Sequence, residues 1–339
     1  MATAPEFPPA SPTSPPPCLF LAGPTAVGKS DAALRLAGHL DGEIISVDSM
    51  QVYRGLDVGT AKPSPADRAR VPHHLIDICD LDESFDAAQF VRRARQAVSE
   101  IQSRRRVPIF CGGTGLYFKA YLSGLGEAPP ANPDLRAELE ALPFETLLRE
   151  LQERDPAAYE KIDKENPRRV IRALEVIRLT GRTFSSQRAE WKSAALTEDG
   201  RLKMEDGKPG QAPSSIPPPP PPPFICLTRS AADLRVRINS RVDEMFRRGL
   251  VEETRALLQR GLERNRTAMQ AIGYRQVVEH LRGERGLAET VERVRQRTRQ
   301  FAKRQLTWFR RYGNAEWIEL KAGDSAEDAA DALRVRFGF

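Results

Sequence analysis

Gly23-Pro24-Thr25-Ala26-Val27-Gly28-Lys29-Ser30 sets two glycines five residues apart and follows the second at once with a lysine and a hydroxyl. Those residue types at that spacing hold phosphate. The glycines let the backbone curl so that successive N–H groups point inward at a polyanion. The lysine neutralises phosphate oxygens, and the Ser30 hydroxyl is placed to ligate Mg2+. A second candidate is Asp48, which ends the apolar run Ile44-Ile-Ser-Val47. It could accept a proton, or serve as an N-cap or turn carboxylate. Thr114, in Gly112-Gly-Thr-Gly115, is a third candidate, and turn chemistry would explain it equally well. Cys18, Cys79, Cys111 and Cys226 are scattered singly without a C-x-x-C pair. That argues against a zinc site or a disulfide framework, and fits a reducing compartment.

The elements that must position these groups follow from periodicity. Cys18 to Ala22 is a short apolar run that reads as a buried strand, and Ser30 to Leu40 carries Ala33, Leu34, Ala37 and Leu40 at helical spacing. Glu43 to Val47 and Val107 to Cys111 are further strands, with a helix over 87–102 between them. Strand–helix alternation with glycine-rich turns predicts a parallel α/β sheet, whose strand carboxyl ends line the ligand crevice. Asp48 and Thr114 therefore belong near the phosphate cradle. The strand ending at Cys111 carries no acid, unlike the Mg2+-binding strand of an ordinary P-loop kinase.

After about residue 125 the pattern turns helical, over 133–142, 144–154 and 167–180. The last helix has Asn166 as its cap, Pro167 in its first turn and Gly181 after its end. Its apolar face is Val170, Ile171, Leu174 and Ile177, which leaves Arg168, Arg169 and Arg172 outward. Phe224 to Leu227 is expected to return to the sheet as a strand, followed mostly by helices to about residue 312. Within them, the helix 233–248 has the apolar stripe Leu234, Ile238, Val242 and Met245, with Arg237 and Arg241 on one face. The fold class expected is α/β: a P-loop NTPase-like parallel sheet core with an inserted all-helical domain. The core is taken as 18–125 and 224–339, and the insertion as 126–194. Residues 1–17 read as a disordered Pro-rich tail, and 195–223, ending in Pro217 to Pro223, as a stiff linker.

Composition narrows the function classes. Lys+Arg 52 against Asp+Glu 46 gives a net charge of +6 over 339 residues. No apolar run approaches the ~20 residues of a membrane helix, and no signal or mitochondrial presequence opens the chain. A cytoplasmic monomer without membrane contact is expected. The positive charge concentrates in 293–315, with Arg293, Arg295, Arg297, Arg299, Lys303, Arg304, Arg310 and Arg311 and no acid. Phe301, Ala302, Leu306 and Phe309 should give that helix a buried side, so the basic side is a face suited to a phosphate backbone.

Several longer blocks then carry a resemblance. Gly23 to Ser30, Ser46 to Tyr53, Gly55 to Pro63, Pro72 to Asp77, Gly112 to Ala120, Ile272 to Gln276 and Arg299 to Gln305 together resemble the tRNA dimethylallyltransferase family, in order and over most of the chain. The resemblance implies transfer of a dimethylallyl group from dimethylallyl diphosphate to the N6 amine of adenine 37, beside the anticodon of tRNAs that read codons beginning with U. It implies that the P-loop grips a prenyl diphosphate with Mg2+ on Ser30, and that Asp48 accepts the amine's proton. Thr25 and Arg241 would then help to stabilise the departing diphosphate. It places Asp48, Ser49, Met50, Gln51, Thr114, Arg136, Arg168, Arg169, Val170, Ile171 and Arg172 at the tRNA anticodon stem–loop. Gln270, Ala271, Ile272, Gly273, Tyr274, Arg275, Thr298, Arg299, Gln300 and Lys303 join them there. Arg168 and Gln270 depart from residues common in the family. No Cys/His cluster follows residue 312, which points to the bacterial type. A metabolite kinase would leave the basic helix unexplained, a prenyltransferase for free adenine nucleotides would not need the insertion, and a non-catalytic RNA-binding module would leave the P-loop without a role.

Overall fold

The computed structural model describes residues 15–125, 129–186, 224–312 and 315–338. The 195–223 linker and all but the last three residues of the Pro-rich tail lie outside them. The chain divides into two compact units, Met1–Phe118 with Ile216–Phe339, and Lys119–Ser215.

The first unit is built on a six-stranded sheet. Its strands are β1 (Leu19–Ala22), β2 (Gly42–Val47), β3 (His73–His74), β4 (Val107–Gly112), β5 (Phe224–Arg229) and β6 (Ala315–Leu320). They lie in the order β3-β2-β4-β1-β5-β6, and every pairing is parallel. The α/β core expected from the alternation is therefore present, with β5 returning beside β1. Both faces of the central strands are covered, which is why they read as unbroken apolar runs. On one face Leu19, Leu21, Ile109, Cys111, Ile225 and Leu227 pack against Ala32, Ala33, Leu36 and Ala37 of helix α1 (Lys29–Leu40). The other face is aromatic. Phe20 stacks on Phe110 at 4.9 Å, and Phe118 meets Phe224 edge-on at 5.1 Å.

Further helices of this unit are α2 (Pro65–Arg70) and α3 (Ala87–Ser103), and α4 (Gly115–Ser123) starts in it. Two strands escaped the sequence reading. β3 is only two residues long, and β6, at the sheet edge, sets Glu316 and Glu319 among apolar residues without a strand period. At the amino end of β2, buried Glu43 is gripped by Arg104 (2.8 and 3.0 Å), Arg106 (3.2 Å) and His74 (2.7 Å). Burial alone would raise its pKa, but these donors outweigh it and hold the carboxyl down to about 2.

The helical unit contains α5 (Pro133–Ala141), α6 (Phe144–Arg154), α7 (Pro156–Lys161) and α8 (Pro167–Thr180). Leu139, Leu147, Leu151, Val170, Leu174 and Ile177 form its core. The boundaries of α8 are as expected, and Gly181 closes it with φ 68°. Asn166 stands at the cap position, but its side chain accepts no capping N–H, so the stop and start rest on Pro167 and Gly181 instead. Helix α7 was not expected. Asp155 creates it by accepting the Ala158 N–H at 3.0 Å. After β5, unit one continues with α9 (Ala231–Arg247), α10 (Leu250–Gln259), α11 (Tyr274–Leu281), α12 (Leu287–Arg310) and α13 (Ala326–Phe337).

Candidate active site

The phosphate cradle forms where β1 hands over to α1. Ala26 (φ 63°) and Gly28 (φ 103°) both take left-handed backbone, and Gly28 occupies the N-cap of α1. Glycine at the second position makes that curl cheap and leaves the helix N–H groups facing outward, a ready anion site. The loop is also gripped from behind. Arg229 Nε donates to Val27 O at 2.8 Å and Arg237 Nε to Ala26 O at 2.9 Å. Arg229 is buried and further fixed by Asp233 (2.9 Å), so β5 and α9 hold the P-loop in shape.

Lys29 Nζ donates to Pro24 O at 3.1 Å, curling over the cradle. Arg241, from α9, donates to Thr25 Oγ1 at 3.2 Å. Burial pulls the Lys29 ammonium below its ordinary range, and the Arg241 cation adds to this while the Asp48 carboxylate opposes it. Burial likewise lowers Arg241, against the pull of Asp31 and Asp48. Two desolvated cations converge here, and a polyanion is the group that would stabilise both. Cys111 lies close by, but burial pushes its thiol up to about 12, so it supplies no thiolate nucleophile near neutral pH.

A cleft of about 590 Å³ opens beside the cradle, within the range of small-molecule sites. Gly28, Lys29, Ser30, Arg237 and Arg241 form its cationic wall, and Ala33, Leu34, Val58, Ile76 and Met245 contribute apolar surface. The loop bearing Val58 is held by Glu253 of α10, whose carboxylate accepts the Asp57, Val58 and Gly59 N–H groups at 2.8–3.3 Å. Tyr274 donates its hydroxyl to Glu253 at 2.6 Å and accepts the Gly59 N–H at 3.1 Å.

Asp48 follows the last residue of β2, as the crevice rule requires. Its Oδ1 accepts the Met50 N–H at 2.8 Å and the Gln51 N–H at 3.3 Å, so the turn reading is correct for one oxygen. Among the described residues no hydrogen bond engages Oδ2, so the lone pairs of that oxygen are open to a further donor. Thr114 Oγ1 accepts the Ser49 N–H at 3.2 Å, joining the β2 and β4 ends. Thr25, Asp48 and Thr114 are not part of the cleft lining; they belong to the turns at the strand ends, on which a second reactant can be presented.

The IPP transferase family model matches residues 51–312 of this chain. The chain belongs to the IPP transferase family. It is 43% identical over 326 residues to a tRNA dimethylallyltransferase of Methylococcus capsulatus, covering 95% of this chain and 98% of the relative. A relative of the same description from Halorhodospira halophila is 44% identical over 316 residues, covering 92% and 94%. The crystal structure of the full-length tRNA isopentenylpyrophosphate transferase of Bacillus halodurans matches with a TM-score of 0.64 at 37% identity, covering 95% of this chain and 96% of that one. A eukaryotic dimethylallyltransferase captured acting on tRNA matches with a TM-score of 0.72 at 25% identity, covering 94% and 78%. The P-loop α/β core is thus the fold of this chain and of its solved relatives.

The remaining candidate residues divide by exposure. Arg168, Arg169, Gln270, Arg275, Gln300 and Lys303 are exposed. Val170, Ile171, Ala271 and Tyr274 are buried, so their side chains support the segments rather than face outward. Arg136 and Arg172 are tied to Glu175, a fully buried acid of α8. Arg136 donates to it at 2.9 and 3.0 Å, Arg172 at 2.5 Å, and the Asn132 N–H at 2.7 Å. Arg172 is therefore not simply outward.

On α12, Thr298 bonds back to Val294 O at 2.8 Å, and Arg299 reaches Asn239 (3.0 Å) and Glu292 (2.9 Å). Arg295 pairs with Asp243 and Glu292. The basic face is thus partly neutralised, and Arg293, Arg297, Lys303, Arg304, Arg310 and Arg311 are its exposed cations outside those pairs. Phe301 was expected on the buried side but is 36% exposed, because 302, 305 and 309 define the stripe that packs inward.

That stripe reveals what sequence reasoning missed. Its middle residue is polar: Gln305, which is buried and bonds to Thr25 N and Gly113 O. A glutamine at i+3 from Ala302 and i−4 from Phe309, on an otherwise apolar face, was the available signal. Arg229, Glu253 and Glu175 left no comparable trace, since each is a charged residue whose contacts include partners far along the chain, such as Val27 O, the Val58 N–H and Arg136.

Proposed function

We propose that this protein is a tRNA dimethylallyltransferase that transfers the prenyl group of dimethylallyl diphosphate to N6 of adenine 37, next to the anticodon of tRNAs reading codons that begin with U. The products are N6-(dimethylallyl)adenosine and diphosphate. The single observation that carries this reading is the convergence of two half-buried cations on the P-loop, Lys29 Nζ on Pro24 O at 3.1 Å and Arg241 on Thr25 Oγ1 at 3.2 Å, with the Asp48 carboxylate at the end of β2.

The residues divide the reaction between them. Lys29, the N–H groups opening α1, and Arg241 stabilise the charge that grows on the leaving diphosphate as the allylic carbon–oxygen bond breaks. Thr25, whose hydroxyl already accepts from Arg241, keeps that guanidinium aimed at the loop. Ser30 is exposed on the cleft wall at the mouth of α1 and would hold Mg2+ together with diphosphate oxygens, which suits a cation that keeps most of its waters. Bound there, Mg2+ would add positive charge against the diphosphate. Among the described residues, no Asp, Glu, His or Cys cluster able to bind a metal stands at this cleft, so the substrate would complete the ligand set.

The exocyclic amine is a weak nucleophile because its lone pair is conjugated with the purine. Asp48 Oδ2 accepts the N6 proton as the N–C bond forms, a role worth ~10²–10⁴ in rate. Reaching that carboxylate requires the adenine to leave its stack, which a single-stranded loop permits. The exposed cations of α12 supply sequence-independent attraction for the RNA backbone. The reaction is proposed for the cytoplasm and for a monomeric enzyme.

The test incubates the protein with labelled dimethylallyl diphosphate, Mg2+ and either an anticodon stem–loop bearing the adenine or AMP. Label is expected in the stem–loop alone. Label in AMP but not RNA would overturn the substrate assignment, and ATP hydrolysis without label transfer would restore a kinase.

A further inference from the structure

The cradle and the Asp48 turn belong to different strand ends, and prenyl transfer needs both in register. The sheet bonds β1 to β4 and β4 to β2 only as far as Ala22, Gly112 and Val47. Past these residues the chain leaves the ladder, and Thr25, Thr114 and Asp48 all lie past them. Something else must set Thr25 against Thr114.

One side chain spans that gap. Gln305 Oε1 accepts the Thr25 N–H at 2.9 Å, and its Nε2 donates to Gly113 O at 3.0 Å. The connection continues without a break. The Gly113 and Thr114 N–H groups both donate to Val47 O, at 3.2 and 3.1 Å, and Thr114 Oγ1 takes the Ser49 N–H. On the other side, Thr25 Oγ1 receives Arg241. A single amide therefore joins the leaving-group cradle to the base-bearing turn, and both of its ends are used.

The fit is tight and specific. Gln305 is 7% exposed, and a Cβ built on Gly113 would fall 2.2 Å from its Nε2. The amide lies in that place because residue 113 has no side chain. An amide is also the suitable group chemically, since it must accept from one backbone N–H and donate to one backbone carbonyl at once. Glutamate would lose the donor, and methionine would lose both contacts at similar volume.

We infer that Gln305 is a positioning residue of the reaction, which fixes the Thr25 hydroxyl and the Arg241 guanidinium relative to Asp48 without touching the reacting atoms. This rests on the role given above to Thr25. Gln305 also lies on α12, one turn or less from Lys303 and Arg304, so the same helix that offers its outer face to RNA holds the cradle with its inner one.

The test is a double-mutant cycle of Gln305→Met and Thr25→Ala, reading kcat and KM for dimethylallyl diphosphate, stem–loop Kd and Tm. Gln305→Met is expected to lower kcat about ten- to a hundredfold, as small misplacements of reacting groups do, with RNA Kd within about twofold. In the Thr25→Ala background the same change should have little further effect, because the hydroxyl it positions is gone. Multiplicative losses in the double variant would overturn the inference, as would unchanged kcat in Gln305→Met. A Thr25→Ala enzyme with full activity would instead defeat the role of Thr25 itself. Should Gln305→Met fail to fold, Gly113→Ala displaces the amide from the opposite side and must give the same non-multiplicative pattern; full activity there would equally overturn it.

Discussion

Replacing Asp48 by asparagine separates base chemistry from structure more sharply than any other single change. Asparagine retains an oxygen at the Oδ1 position, so the Met50 and Gln51 N–H groups keep their acceptor and the turn keeps its shape. Global stability should therefore move by less than about 1 kcal/mol. At Oδ2 an NH2 group replaces the basic lone pairs, and the N6 proton loses its acceptor. Turnover should fall ~10²–10⁴-fold, or about 2.7–5.4 kcal/mol of barrier. The charge change acts in the opposite sense on the cradle. Asp48 opposes the positive potential at Lys29 and Arg241, so its neutralisation should leave dimethylallyl diphosphate binding equal or tighter. Single-turnover kinetics with saturating stem–loop measure the chemical step, and calorimetric titration measures diphosphate affinity. Turnover within threefold of the unaltered enzyme would refute the base assignment. A weakened diphosphate affinity at unchanged turnover would show that Asp48 serves the cradle and not the amine.

Other consequences are accessible to simple measurements. Glu43 has a depressed folded-state pKa, so its stabilisation is complete above its ordinary value of 4.5 and drains away as pH falls towards about 2. Glu43→Gln should cost roughly 3 kcal/mol near neutrality and flatten the acid limb of Tm against pH, while turnover per folded molecule stays unchanged; parallel Tm profiles would contradict this. Stem–loop affinity should fall steeply with salt, and Lys303→Ala with Arg304→Ala should reduce the magnitude of that log–log slope by about 1–2, an expectation that an unchanged slope would remove. Tyr274→Phe takes a hydroxyl from both Glu253 and the Gly59 N–H, and should lower stability by about 1–2 kcal/mol in chemical denaturation; no measurable change would mean that Glu253 holds the Val58 loop alone.

The sequence exposed those parts of the molecule whose determinants are local. The P-loop was legible because glycine spacing, lysine and serine lie within eight residues, and β1, β2 and β4 because both of their faces are buried. Helix α8 was legible from Pro167 and Gly181. What escaped depends on contacts far along the chain. β6 pairs with β5 across about ninety positions and reads as a mixed, half-exposed segment. Glu175 looks like any surface acid until Arg136, Arg172 and the Asn132 N–H surround it. Phe301 was expected to face inward and Gln305 was given no place, since the inward stripe of α12 is set by the shape of the glycine turn it meets. A helical pattern shows that a face exists, and only the partner decides which edge residues it includes.

The sheet order has a consequence for biogenesis. Strand β1 is one of the two central strands of the sheet, yet its neighbour β5 begins at Phe224, about two hundred residues later in translation. A nascent chain that has emerged only through the helical unit carries an unpaired central backbone edge, and the ring of Phe20 lacks the cover that Phe224 gives it. Arg229, Arg237, Arg241 and Gln305 are also still unmade at that stage. Truncated or stalled products would thus be sticky targets for chaperones and proteases. They would also lack the Arg241 and Gln305 contacts that hold Thr25 in the finished cradle.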